Sequence, residues 1–286
     1  MFVLKLISFF PLWLLYLIAD FLYFIAYHLT KYRRNVVVGN LQKAFPEKAE
    51  GELRLIEKQF YRSLTDFAVE TVKSHSMSPK QFKKRVIFKN LELLQKYKGK
   101  PIMFMASHQF NWEWMQLSAA LQFPFEIDYI YQPLKLKSFD RYMIKLRSRF
   151  GAQPINRHNA AREIIKSSKK GRGFAMVADQ VPGRNVRIYW TQFLNQETAY
   201  FMGTEALAKL IKCPVVYFAI QKIKRGYYEV DIVEIAEPPY QKEDHSILEN
   251  YSKATEQNIR KHPSQWLWSH KRWKYTKAEA EASKVI

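Results

Sequence analysis

Pro101-Ile102-Met103-Phe104-Met105-Ala106-Ser107-His108-Gln109-Phe110-Asn111-Trp112-Glu113 joins an unbroken apolar run to a histidine and a glutamate with four residues between them. The run from Ile102 to Ala106 reads as a buried strand, and residues 112–122 as the helix that follows it. In one continuous helix, advancing about 100° per residue, positions five apart would lie about 140° from each other and share no face. The chain must therefore bend between them. His108 then sits at a strand's carboxyl end and Glu113 in the first turn of the next helix, the edge where open α/β sheets collect their ligands.

A neutral imidazole can take a proton from a hydroxyl, and a carboxylate beside it can fix its tautomer and stabilise the imidazolium that forms. His108 is thus expected as a general base and Glu113 as its partner, a pair suited to acyl transfer onto an alcohol. The same spacing also arises when a half-buried histidine merely precedes a glutamate favoured at a helix N-terminus. No His-Glu-x-x-His occurs, and Cys213 with the scattered histidines makes no dense ligand set, so no metal is expected. Cys213, inside Ile211-Lys212-Cys213-Pro214-Val215-Val216, reads as a small buried hydrophobe.

Outward from the motif, Leu53, Ile56, Phe60, Leu64, Phe67 and Thr71 recur at three- and four-residue intervals, predicting an amphipathic helix over residues 51–73. Ser78-Pro79 opens a short helical piece, and residues 90–98 form another. Strands are expected over residues 127–131, 174–178, 215–221 and 228–235, with helices over 138–149, 160–169, 200–211 and 247–261. The alternation predicts an α/β fold, a mostly parallel central sheet flanked by helices. No internal repeat, low-complexity segment or interdomain linker interrupts it.

Residues 6–29 are apolar and aromatic except for Ser8, Asp20 and His28, long enough for one bilayer crossing, which is favoured over a helix lying in the interface. Asp20 is the awkward member, because a charge near the centre of a span costs roughly 3 kcal/mol on insertion scales. It must be near an interface, neutralised or packed against protein. Lys31, Arg33 and Arg34 follow the segment against Lys5 before it, which places the remainder of the chain in the cytoplasm. The division expected is a transmembrane anchor over residues 1–30 and a cytoplasmic catalytic domain over 31–286. The formal net charge of +20 favours polyanionic partners. Anionic lipid and an acidic carrier protein fit; nucleic acid is not expected, since the basic residues are spread through the chain without a binding motif.

Further motifs follow a recognisable order: Gly39-Asn40-Leu41-Gln42-Lys43-Ala44-Phe45-Pro46-Glu47, the His108/Glu113 pair, Tyr131-Gln132-Pro133, Leu146-Arg147-Ser148-Arg149-Phe150-Gly151, Asp179-Gln180, and Pro263-Ser264-Gln265-Trp266-Leu267-Trp268-Ser269-His270-Lys271-Arg272-Trp273-Lys274. Over nearly its whole length the chain resembles the late (secondary) acyltransferases of bacterial lipid A biosynthesis, lysophospholipid acyltransferase-like proteins with a His-x4-Asp/Glu motif. The resemblance implies a glycerolipid acyltransferase-like fold and an inner-membrane enzyme that moves a fatty acyl group from an acyl carrier protein thioester to a hydroxyl of a lipid A precursor. No cofactor is implied. One departure is Gln132, where the family commonly has arginine.

The resemblance marks Arg147 as the functional arginine, whose guanidinium could hold a lipid phosphate or steady oxyanion charge. Arg149, Asn111, Asp179 and Gln180 join it as expected substrate-binding positions, Asp179 in a structural or positioning role. On residue type alone, Arg147 and Arg149 also suit a solvated helix face, and Asp179 a turn cap. The tail's tryptophans are expected in the core with their basic neighbours outside. Two other readings stay open: an acyltransferase for a glycerolipid or amino-acid-derived lipid, and a lipid-binding scaffold without catalysis.

Overall fold

A computed structural model describes residues 2–183 and 186–282. The amino end forms α1 (Phe2–Ser8), α2 (Leu12–Phe24) with a π turn at Ile25–Leu29, α3 (Arg34–Ala44), the long α4 (Glu50–Lys73) and α5 (Pro79–Arg85). Then come β1 (Val86–Phe88), β2 (Ile102–Ala106), α6 (Trp112–Gln122), β3 (Ile127–Tyr131), α7 (Lys137–Arg147), β4 (Gln153–Asn156), α8 (Ala160–Ser168) and β5 (Gly173–Val177). The hairpin β6 (Ile188–Phe193) and β7 (Gln196–Phe201) precedes α9 (Gly203–Ile211), β8 (Val215–Lys224), β9 (Tyr227–Ala236), α10 (Ser246–Lys261) and the short α11 (Lys277–Ala282).

Seven strands form one sheet in the order β1-β9-β8-β2-β5-β3-β4. The run β8-β2-β5-β3-β4 is parallel throughout, and β9 pairs antiparallel with β8. This is the mostly parallel, helix-flanked α/β architecture that the sequence predicts. Because side chains alternate across a strand, β2 supplies two cores at once. Met103 and Met105 enter the core with Tyr217, Tyr251 and Trp266, while Ile102, Phe104 and Ala106 enter the other with Trp114 and Phe218. A strand covered on both faces has no polar alternation, hence its unbroken apolar run.

Three expectations are corrected. The apolar segment over residues 6–29 is not one helix: α1 ends at Ser8, and Pro11, which has no backbone N–H to donate, stands at the N-cap of α2. The stretch Leu12–Leu29, of mean hydropathy 1.6, is nonetheless the one helix among the described residues long and apolar enough to cross a membrane. The helix expected over residues 200–211 begins only at Gly203, because residues 196–201 pair with β6 across a turn in which Leu194 and Asn195 take φ of 51° and 62°. Without a glycine there, the turn carries a weak sequence signal. Finally, Arg272 lies inside with Trp266 and Trp268; Nη2 donates to the Ala199 carbonyl at 2.7 Å and the guanidinium covers the Tyr200 ring. Cys213 is buried as expected, its thiol pushed up to about 12 by that burial.

β5 lies against β2 closely enough that a Cβ at Gly173 would come within 2.2 Å of the buried Phe104 ring. Gly173→Ala should destabilise the fold by about 1–3 kcal/mol through overpacking, read as a lower urea midpoint at unchanged m.

Candidate active site

β2 and β5 are neighbours in register, Ala106 opposite Val177, so the residues just beyond their carboxyl ends meet. Those residues are His108 and Asp179. The His108 ring Nδ1 lies 2.6 Å from Asp179 Oδ1, and the His108 backbone N–H donates to Oδ2 at 2.9 Å. The Trp266 indole N–H donates to the same Oδ2 at 2.6 Å. Burial pushes the Asp179 carboxyl up, but the His108 charge and these three donors more than reverse that, and its pKa is lowered. An ionised carboxylate only accepts, so Nδ1 carries the hydrogen, and in the neutral form of the ring the lone pair is on Nε2. Among the described residues nothing bonds to Nε2, and the side chain is 19% exposed. An imidazole held in this way at one nitrogen can accept a proton at the other.

The loop that carries His108 is clamped from outside. Phe110 N–H donates to the Gln265 carbonyl at 2.8 Å, and Leu267 N–H to the His108 carbonyl at 3.1 Å. Tyr251 O–H donates to the Ala106 carbonyl at 2.8 Å and accepts from the Ala178 N–H, tying the two strand ends together. The Trp112 indole stands edge-on to the imidazole, ring centroids 5.0 Å apart.

Glu113 does not serve as the imidazole's partner. Its carboxylate, nearly buried, takes the Arg147 fork at 2.9 Å from Nε and 2.5 Å from Nη2, and also accepts from the Trp112 indole N–H. The bend after His108 directs Glu113 toward the end of α7, where it fixes Arg147. Asn111, expected among the substrate contacts, is fully buried with both ends of its amide engaged. Its oxygen caps α6 through the Trp114 N–H at 3.0 Å, and its Nδ2 donates to Glu70 at 2.8 Å. Arg149 is likewise occupied, donating to the Ser74 and Met77 carbonyls. Gln180 is partly exposed beside Asp179. Gln132 accepts from Arg157 at 3.0 Å, so a guanidinium reaches this position from the end of β4.

Trp266 and Tyr251 are the contributions that sequence reasoning missed. Trp266 is expected in the core and Tyr251 lies in the helix expected over residues 247–261; both are core aromatics, and no local pattern marks where their polar ends point.

Residues 1–275 of the 286 match the family model of bacterial lipid A biosynthesis acyltransferases. The chain belongs to that family. It is also 20% identical over 245 residues to lipid A biosynthesis acyltransferase 2 of Shigella flexneri, covering 83% of this chain and 76% of the other. Acyl transfer in lipid A biosynthesis is the chemistry of this acyltransferase family.

His270 backs the sheet edge carrying His108 and Asp179, its Nε2 accepting from the Val181 N–H at 3.2 Å. Burial, with Arg272, His108 and Arg33 nearby, lowers its pKa from 6.5 to about 4 against the opposing pull of Asp179. Between those values the unfolded chain binds a proton that the folded one refuses, so this contribution to stability is full above 6.5 and lost as the pH falls toward 4. The loss should reach at most about 3 kcal/mol. Urea unfolding of wild type and His270→Gln at several pH values should give a gap that closes as the pH falls through this window; parallel stability curves would refute it.

Proposed function

We propose that the protein transfers a fatty acyl group from an acyl carrier protein thioester to a hydroxyl of a lipid A precursor, with His108 as general base. The observation that carries this reading is the unengaged Nε2 of an imidazole whose Nδ1 is held by the buried Asp179 at 2.6 Å. Nε2 takes the acceptor's hydroxyl proton as that oxygen attacks the thioester carbonyl. Collapse of the tetrahedral intermediate breaks the C–S bond, and the imidazolium returns the proton to the departing thiolate. No covalent enzyme intermediate and no cofactor is needed. Asp179 sets the tautomer and stabilises the imidazolium, the part first assigned to Glu113. Glu113 instead holds Arg147, whose guanidinium meets a lipid phosphate or the developing oxyanion. Gln180, beside Asp179, contributes to the acceptor side.

Residues 31–286 carry the catalysis, and residues 1–30 attach it to the inner membrane with the catalytic part on the cytoplasmic side. The basic cluster Lys31, Arg33 and Arg34 supports that orientation, and the carrier thioester is made there.

His108→Ala should lose about 10²- to 10⁴-fold in kcat when assayed under conditions where it remains folded, its urea midpoint falling as well because Asp179 loses a donor. Asp179→Asn should fall most of that way, whereas Glu113→Gln, acting through Arg147, should raise KM for a phosphorylated acceptor more than it lowers kcat. Near-normal turnover by folded His108→Ala protein would end the proposal. The net charge of +20 should also make kcat/KM for a carrier-bound donor fall with salt more steeply than for a small-thiol donor. Equal slopes would assign the charge to the membrane instead.

A further inference from the structure

The amino-terminal helices are part of the folded domain. One side of α2 lies along α4, with Leu15 and Ala19 packed on Val69. Lys73 of α4 donates to the carbonyls of Ser8 and Phe10, both at 2.9 Å, and so ends α1 and receives the chain before α2. Tyr16 O–H donates to Glu70 at 2.8 Å, and the same buried carboxylate accepts from Asn111, the cap of the catalytic loop's helix, and from Tyr228. At mid-length Asp20 pairs with Arg225 at 2.6 Å, and Arg225 also pairs with Asp66 at 2.6 Å. These groups border a cavity of about 300 Å³ with Arg62 and Lys222 on its walls.

The other side of α2 is an unpartnered apolar stripe. Trp13, Leu17, Phe21 and Phe24, at four-, four- and three-residue intervals, are 65%, 58%, 63% and 50% exposed. Phe9 and Phe10 continue it into the turn, and the exposed Lys5 and Lys31 stand at its two ends.

Were the helix to cross a bilayer while docked in this way, Asp20, Arg225, Asp66, Lys222 and Arg62 would all lie near the midplane of a hydrocarbon layer about 30 Å thick. Charges there are costly. Were it to cross undocked, the Lys73, Tyr16 and Arg225 bonds would break and Leu15, Ala19 and Val69 would lose their packing.

We propose that residues 2–29 lie in the plane of an anionic lipid surface, with Phe9, Trp13, Leu17, Phe21 and Phe24 immersed and the opposite side of the helix docked on α4. The occupant of the stripe is a bilayer because the face is aromatic and aliphatic along its length, is flanked by cations, and belongs to a strongly basic chain. The charged side faces protein and water, the apolar side faces lipid, and no charge enters the hydrocarbon. Through Tyr16, Glu70 and Asn111 the membrane plane is also tied to the loop carrying His108, so the site is held at a set height above the lipid. This refines the mode of attachment in the proposed function, replacing a crossing with an in-plane helix, and does not depend on which acyl donor or acceptor is used.

The test uses the full chain with single cysteines, Trp13→Cys, Leu17→Cys, Phe21→Cys and Phe24→Cys, each carrying an environment-sensitive fluorophore; buried Cys213 stays unlabelled. Bound to vesicles of phosphatidylglycerol and phosphatidylethanolamine containing lipids nitroxide-labelled at two chain depths, all four sites should report one shallow depth. In sealed vesicles, a membrane-impermeant thiol reagent should reach Val3→Cys and Lys277→Cys from the same side. Trp13→Glu combined with Phe21→Glu should weaken vesicle binding by about tenfold or more while leaving the urea midpoint unchanged. A depth that increases to a maximum near residues 17–21, with Val3→Cys and Lys277→Cys on opposite sides, would overturn the proposal in favour of a crossing. Absence of quenching at all four sites would overturn it outright. Both readouts are independent of acyl transfer, so an error in the assigned donor, acceptor or base leaves them unchanged.

Discussion

The Asp179 carboxylate is the point on which the site's geometry depends. Removing a carboxylate from water costs several kcal/mol, and the cost is tolerable only where donors replace the lost hydration. Here they come from three directions: a backbone N–H and a ring nitrogen of His108, and the indole of Trp266. The requirement works in both directions. The carboxylate sets which imidazole nitrogen is held, and its need for the Trp266 donor brings the carboxyl-terminal segment over the loop that carries His108, where Gln265 and Leu267 bond the loop's backbone.

A second carboxylate, Glu113, is equally buried but solves the same problem with Arg147. Two anions near one sheet edge would repel each other and raise each other's pKa if both leaned on the imidazole. Giving one to the histidine and the other to a guanidinium separates their functions. It also fixes the orientation of the Arg147 guanidinium, which is held bidentately. The separation follows from the sheet order: β5 stands immediately beside β2, whereas the end of α7 reaches the first turn of α6.

Another buried carboxylate, Glu70, shows why the amino-terminal segment is so hard to read as a detachable anchor. Burial raises its pKa, and Tyr228, Asn111 and Tyr16 supply donors from three separate elements. The polar side of α4 is thereby interior. A helix with an apolar stripe on one side and Asp66, Glu70 and Lys73 on the other would ordinarily leave the polar side in water, and here α2 covers it.

Much of this was legible before any tertiary structure. β2, β3, β5 and β8 follow from apolar runs of strand length, β9 from its apolar/polar alternation, and α4, α7, α8 and α10 from their helical patterns, because each pattern records which side of an element leaves water. The bend after Ala106, and with it the placement of His108 at a strand's carboxyl edge, follows from local geometry alone. The hairpin of β6 and β7 did not, since its turn lacks a glycine, and neither did the interior place of Arg272, since a buried arginine is marked only by the carbonyl and ring that receive it. Which carboxylate holds His108 was decided by the tertiary structure. Glu113 is the nearer in sequence, and Asp179, 71 residues away, is the partner. The physical reason is that a hydrogen bond reads distance in space: the sequence specifies each strand's own pattern, while the order of strands in the sheet, an outcome of packing over the whole chain, determines which strand ends become neighbours.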